Sequence, residues 1–246
     1  MNGRRGKTDN SQVGVFAAVV RDSVSALIEG ELHIPEAWFA DPGRCKDAGI
    51  PEEEEFRTKG EMAPSIIHRL RRDGLRFAYT VFDAGYAHLP WLLRALEEEQ
   101  EIFLAEVHSD QVIYLADPAP VVPDRLSLRG QASRRLQAQT APLTVVAWAA
   151  ALPASRWRRL SVRAGEKGEV IADFLKQRVW LCDVVEQRAR CWHLLVRREI
   201  DGSKLKFCLV NAKPEPACAG SRRCRGAVFR RARLRGRQGR LRHGRL

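Results

Sequence analysis

The sequence has no run of about 18 apolar residues, the length a membrane-spanning helix needs, so no span is expected. Residues 1–12 (MNGRRGKTDNSQ) are polar and basic and lack the apolar stretch of a signal peptide, which predicts no leader and a cytoplasmic chain. In that compartment the six cysteines are expected to be reduced core residues rather than disulfides. Cys182, Cys191, His193 and Cys208 could be imagined around zinc. They lack any C-x2–4-C spacing, and each sits inside a strand-like run, so core thiols are the simpler expectation. Acidic residues are almost missing from residues 213–246, where Lys213 and eleven arginines face Glu215 alone. That segment carries +11 of the chain's net +12 and leaves +1 for residues 1–212. The high isoelectric point therefore belongs to the tail and says little about whether the body binds nucleic acid. With few apolar residues to bury, the tail is expected to be disordered.

What is present is a 246-residue chain, 45% hydrophobic, long enough for one large domain or two small ones. Residues 77–86 (FAYTVFDAGY) are the most informative stretch. An apolar, β-favouring run ends in Asp83, which predicts a buried strand of a mostly parallel sheet with a carboxylate just past its C-terminal end. Open α/β sheets place their sites there. Asp83 could instead simply cap the helix that comes next. Gly85 allows a sharp turn beside it.

In chain order, residues 11–20 and 24–34 read as a hairpin with a turn at Asp22 and Ser23. A short helix is expected from Pro35, a turn at residues 41–43 and an exposed acidic connection over residues 45–55. From Thr58 the spacing of Met62, Ile66, Ile67 and Leu70 predicts a helix closed near Gly74. Residues 89–96 predict a second helix, ending in a solvated run of glutamates at 97–99, and residues 103–107 another strand. This β-β-α-β-α-β order implies an α/β sheet with an antiparallel edge. Residues 117–142, rich in Pro, Arg and Gln, read as a linker or mobile loop. Residues 178–183, 190–197 and 204–211 read as an antiparallel meander, with a turn at residues 200–203.

Four motifs occur in order: GKTDNSQVGVF at residues 6–16, LIEGELHIPEAW at 27–38, AGIPEEEEFRTK at 48–59 and VFDAGYA at 81–87. Together they resemble the DDE transposases of bacterial insertion sequences, in the branch whose catalytic Glu sits in a Y…R…E…K signature. The resemblance spans residues 6 to about 212. It implies a ribonuclease-H-like α/β fold: a mixed sheet with flanking helices. It further implies three carboxylates holding two Mg²⁺ ions, and DNA cleavage and strand transfer at transposon ends. Two such metals can clamp the attacking and leaving oxygens of an in-line displacement. Asp83 matches the second Asp, as catalytic residue and metal ligand. The first Asp lies upstream of GKTDNSQVGVF in the family, so the first strand is expected to be missing here, and Asp9 belongs to the motif itself. The implied layout is a partial catalytic core over residues 1–116, the linker over 117–142, a β-rich insertion over 143–212 and the tail over 213–246.

The family's Glu helix should come after the insertion, where this chain instead has arginines. Residues 227–246 can be back-translated so that a one-base shift reads RYFVERAFEDAKGDCGMAD, which resembles the Glu-helix signature. The Glu then spans the codons of Arg231 and Ala232. The tail is on this reading out of frame and the copy inactive. DNA-contacting candidates are Lys59, His88, Arg156, Trp157, Arg158 and Arg159, the last four a basic run with one stacking ring that reads equally as a solvated turn. His88 reads equally as an ordinary surface histidine. Transposon-end DNA and a second copy of the chain are the expected partners, and no cofactor other than Mg²⁺ is implied. Two rival readings are a non-enzymatic protein binding nucleic acid through its tail, and a nuclease drawing further carboxylates from Asp22, Glu29 or Glu31.

Overall fold

A computed structural model describes residues 12–21, 24–123, 136–165, 168–183, 186 and 188–212. The turn expected at Asp22 and Ser23, Asp9 with most of the first motif, the middle of the 117–142 segment and all of residues 213–246 lie outside the described residues. The chain divides into two compact units, one ending at Phe77 and one beginning at Ala78.

In the first unit, β1 (Val13–Arg21) and β2 (Val24–His33) pair antiparallel, as the two β-type runs predict. The register shifts between Ala17 and Ala18, leaving Ile28 as the extra residue of a bulge. Two short helices come next: α1 (Glu36–Phe39) and α2 (Pro42–Asp47). The expected turn at residues 41–43 is in fact the start of α2. The Asp41 carboxylate caps it by accepting the Arg44 N–H at 3.1 Å, and Pro42 fits the first turn, where its missing N–H costs nothing. The longest helix, α3 (Lys59–Arg72), begins with a capping box. The Thr58 hydroxyl accepts the Glu61 N–H, and the Glu61 carboxylate accepts the Thr58 N–H at 2.7 Å. Met62, Ala63, Ile66 and Ile67 form its buried stripe, and Gly74, with φ +83°, closes it. Arg69 on α3 and Arg57 just before it both bind Glu31 of β2, Arg69 at 2.8 Å.

The second unit is built on one six-stranded sheet. Its strands are β3 (Thr80–Phe82), β4 (Phe103–Val107), β7 (Arg158–Gly165), β8 (Gly168–Asp183), β9 (Arg188–Glu199) and β10 (Leu205–Val210), in the order β3-β4-β10-β9-β8-β7. Only β3 and β4 run parallel. The expectation of a mostly parallel sheet with its carboxylate strand in the middle is therefore corrected: the sheet is mixed and mainly antiparallel, and β3 stands first in its order. The architecture is mixed α/β and compatible with a ribonuclease-H-like fold.

Between β3 and β4 lie α4 (Ala84–Ala87) and α5 (Pro90–Glu98). Leu92, Leu93 and Leu96 of α5 are buried, as are Phe103 and Trp192, whose rings meet edge-on at 5.2 Å. Leu104, Phe174, Leu195, Cys208 and Val210 form a second cluster. The side chain of Asn211 ties down the start of β4 by accepting the Phe103 N–H at 2.8 Å and donating to the Glu101 carbonyl at 2.9 Å. A small pair, β5 (Val112–Ile113) with β6 (Leu143–Thr144), leads into α6 (Val145–Ala150), so the apolar run from Val145 is a helix. The ends of the supposed linker are pinned, because Pro118 is fully buried and Val121 bridges Gln137.

One strand boundary is corrected as well. β8 starts ten residues before Arg178, and Arg158 and Arg159, the end of the run read equally as a solvated turn, open β7. Glu97 is no solvated helix end either: it accepts the Trp192 indole N–H at 2.7 Å and pairs with the buried Arg190, which also binds Glu186 at 2.6 Å. Arg94 of α5 adds a pair to the buried Asp183 at 2.9 Å. These ions fix α5 against the β8–β9 hairpin. Among the described residues no helix is long and apolar enough to cross a membrane.

Candidate active site

β3 is short because the chain turns at once into α4. Asp83 keeps the extended backbone of the strand (φ −83°, ψ 174°), and its carboxylate accepts the Gly85 N–H at 3.1 Å. The capping reading of Asp83 is thus correct as far as it goes. The side chain is half-buried and also lines a groove of about 550 Å³, formed by residues 83–85, 106–109 and 205–207. The groove opens at the C-terminal ends of the two parallel strands, where such sheets place their sites.

Phe82 pairs with Ala105, so Asp83 and Glu106 are the next residues on neighbouring parallel strands, and both line the groove. Across β4 on the other side is β10, whose Cys208 faces Glu106. Lys206, two residues earlier, lies diagonally from Glu106 on the same face and reaches it. Its ammonium donates to both Glu106 oxygens, at 2.9 and 3.1 Å, with both side chains partly buried. His108 and Ser109 complete the rim.

Residues 2–169 match the family model of the DDE superfamily endonucleases. The chain belongs to that family. A search of curated proteins gives no match. Family membership makes this a DDE-type, transposase-like protein of the nuclease class, with DNA as the substrate class. DDE superfamily endonucleases generally use divalent metals.

The described donor set does not fit a two-metal centre of that kind. No group of three or more His, Cys, Asp or Glu able to hold an ion occurs among the described residues. Mg²⁺ demands near-octahedral oxygen ligation, and a metal pair needs several carboxylates between them. The groove offers Asp83, with one oxygen engaged by Gly85, and Glu106, with both oxygens on Lys206. Of the residues weighed for zinc, Cys208 is buried and Cys182 and Cys191 are partly buried, on β10, β8 and β9. Burial and the nearby Lys176 and Arg178 charges hold His193 below the usual histidine range.

The remaining candidates do not join Asp83 in the groove lining. His88 is exposed, and its ring lies 3.4 Å from the Ala84 carbonyl. Lys59 is the exposed first residue of α3, in the first unit. Glu29 and Glu31, offered by the rival nuclease reading, are taken up by Arg69 and Arg57, while Asp22 lies outside the described residues. Arg156, Trp157, Arg158 and Arg159 sit at β7, at the opposite end of the sheet order from β3. Arg156 reaches Gln177 at 3.5 Å, the Arg198 guanidinium stacks 4.1 Å over the Trp157 ring, and Arg159 binds Asp173 at 3.0 Å. Sequence reasoning missed Glu106 and Lys206. The available signal was a charge inside each of two otherwise apolar strands, FLAEV and LKFCLV.

Proposed function

We propose that the chain is a DDE transposase of the bacterial insertion-sequence type, in the Y…R…E…K branch, whose family reaction is Mg²⁺-dependent cleavage and strand transfer at transposon ends, and that this copy does not carry the reaction out. Asp83 is its candidate catalytic carboxylate and metal ligand, residues 1–116 its core, and the β-rich residues 143–212 an addition to that core. The observation that supports the reading is Asp83 itself, held at the C-terminal end of a parallel strand in the groove, within the family-matched region. The donor set around it supports inactivity, since one carboxylate with one companion tied to lysine cannot hold two metals in line.

Purified protein incubated with Mg²⁺ or Mn²⁺ is expected to leave supercoiled and linear DNA uncut above background. Reproducible nicking that disappears in Asp83→Ala would reject inactivity while keeping Asp83 as the centre. Nicking that persists in Asp83→Ala would reject the site.

A further inference from the structure

We infer that Lys206, rather than a resident divalent metal, is the counter-ion of this groove, and that it keeps Glu106 from serving beside Asp83 as a metal ligand. The inference rests on the reading of Asp83 as the site carboxylate.

The geometry carries it. Asp83 and Glu106 come directly after paired residues on adjacent parallel strands and line one groove, which is how two carboxylates come to share a cation. Lys206 enters from β10 and sets its ammonium against both oxygens of Glu106, at 2.9 and 3.1 Å. A metal drawing on Glu106 would need one of those oxygens. The ammonium would then be left beside a divalent cation, and at a few ångströms in a partly buried groove the two like charges repel. The oxygens keep further lone pairs, so the competition is electrostatic: with the ammonium on both of them, Glu106 holds a divalent cation more weakly. The two side chains retain only 23% and 27% of their exposure, so salt and water screen the pair less than they would a surface pair. Asp83 meanwhile gives one oxygen to the Gly85 N–H. A single carboxylate leaves Mg²⁺ mostly hydrated and loosely held.

The test is a titration of the full chain with Mn²⁺ in the absence of DNA, read by the electron paramagnetic resonance of free Mn²⁺. The wild type is expected to show no site tighter than about 1 mM, in keeping with the loose end of carboxylate sites. Lys206→Met is expected to bind at least about tenfold more tightly, because ligand charge count sets such affinities. The gain should vanish in Lys206→Met/Glu106→Gln. Glu106→Gln alone should leave the weak wild-type binding unchanged, which keeps the test sound if Lys206→Met does not fold. Submillimolar binding by the wild type that falls in Glu106→Gln would overturn the inference, and so would a folded Lys206→Met that binds no better than wild type. Either result leaves the assignment of Asp83 to be judged by DNA cleavage, a separate readout.

Discussion

At Asp173 three strands meet in one charged rung. Arg159 of β7 and Arg198 of β9 stand directly opposite Asp173 of β8 on its two sides and bind it at 3.0 and 3.1 Å. The Arg159 hydrogen bond, helped by that of Arg198, outweighs burial and holds the Asp173 carboxyl below the usual carboxylate range. A carboxyl whose folded value lies below its unfolded value of about 3.9 contributes stability above that pH. The contribution is lost as pH falls through the folded value. Asp173→Asn is therefore expected to lower the urea midpoint at pH 7 and pH 5, with the gap to wild type closing below about pH 4. A gap that stayed constant down to pH 3 would show that the rung acts through packing rather than charge. At this scale the sequence was legible where chemistry is local. Asp83 could be found because the strand, the carboxylate and the glycine lie within a few residues. Glu106 and Lys206 could not be paired, because 100 residues separate them and only the fold makes them neighbours. The partner of Arg159 in the basic run at residues 156–159 was hidden for the same reason, since the acid that engages it lies on another strand.

Among the elements, the β1–β2 hairpin shows how two glycines can differ in consequence. The Phe16 ring lies over both Gly14 and Gly30, and a Cβ on Gly30 would meet that ring at 2.5 Å. The ring is 54% exposed and can swing away. A Cβ on Gly14 would meet the ring at 2.9 Å and also the Glu31 backbone carbonyl at 2.8 Å, which cannot move without disturbing the ladder. Gly14→Ala is expected to cost about 1–3 kcal/mol, the usual range for overpacking, and Gly30→Ala less than about 1 kcal/mol. Thermal melts followed by circular dichroism would decide, and an equal or reversed loss would refute the distinction. The hairpin and α3 were legible from sequence because two β-type runs around a turn, and apolar residues at helical spacing closed by a glycine, are short-range signals. β7 was not. Its residues, RRLSVRAG, carry charge on a strand at the end of the sheet order, and their pairing with β8 is what makes them β. The same holds for β3, whose apolar run suggested a central strand although the pairing puts it first in the order. Apolar content reports burial, and β3 gains its burial partly from the helices after it rather than from strands on both sides.

For the whole molecule, the family match covers residues 2–169 and so runs through both compact units, ending at the start of β8. The sheet goes on through β8, β9 and β10, and β10 pairs with β4, so strands beyond the matched region complete the sheet that carries Asp83. The arginine-rich segment comes after Ala212 in sequence, and a one-base shift of reading frame would account for its composition. Inserting or deleting one base between the codons of Ala212 and Arg225 is expected to open a frame encoding RYFVERAFEDAKGDCGMAD. In a helix of that sequence the Lys of AFEDAK comes seven positions after the first Glu, about two turns, and shares its face. The Glu would supply one of the carboxylates that a two-metal centre needs beside Asp83, and the Lys a point charge for a DNA phosphate. The nucleotide sequence of the gene decides the matter. Third bases that leave the shifted frame interrupted by stops, or unrelated to that peptide, would refute the frameshift. The eleven arginines would then be a basic arm in their own right. Deleting residues 213–246 would in that case abolish a sequence-independent DNA affinity that falls steeply with salt, as phosphate neutralisation and counter-ion release require.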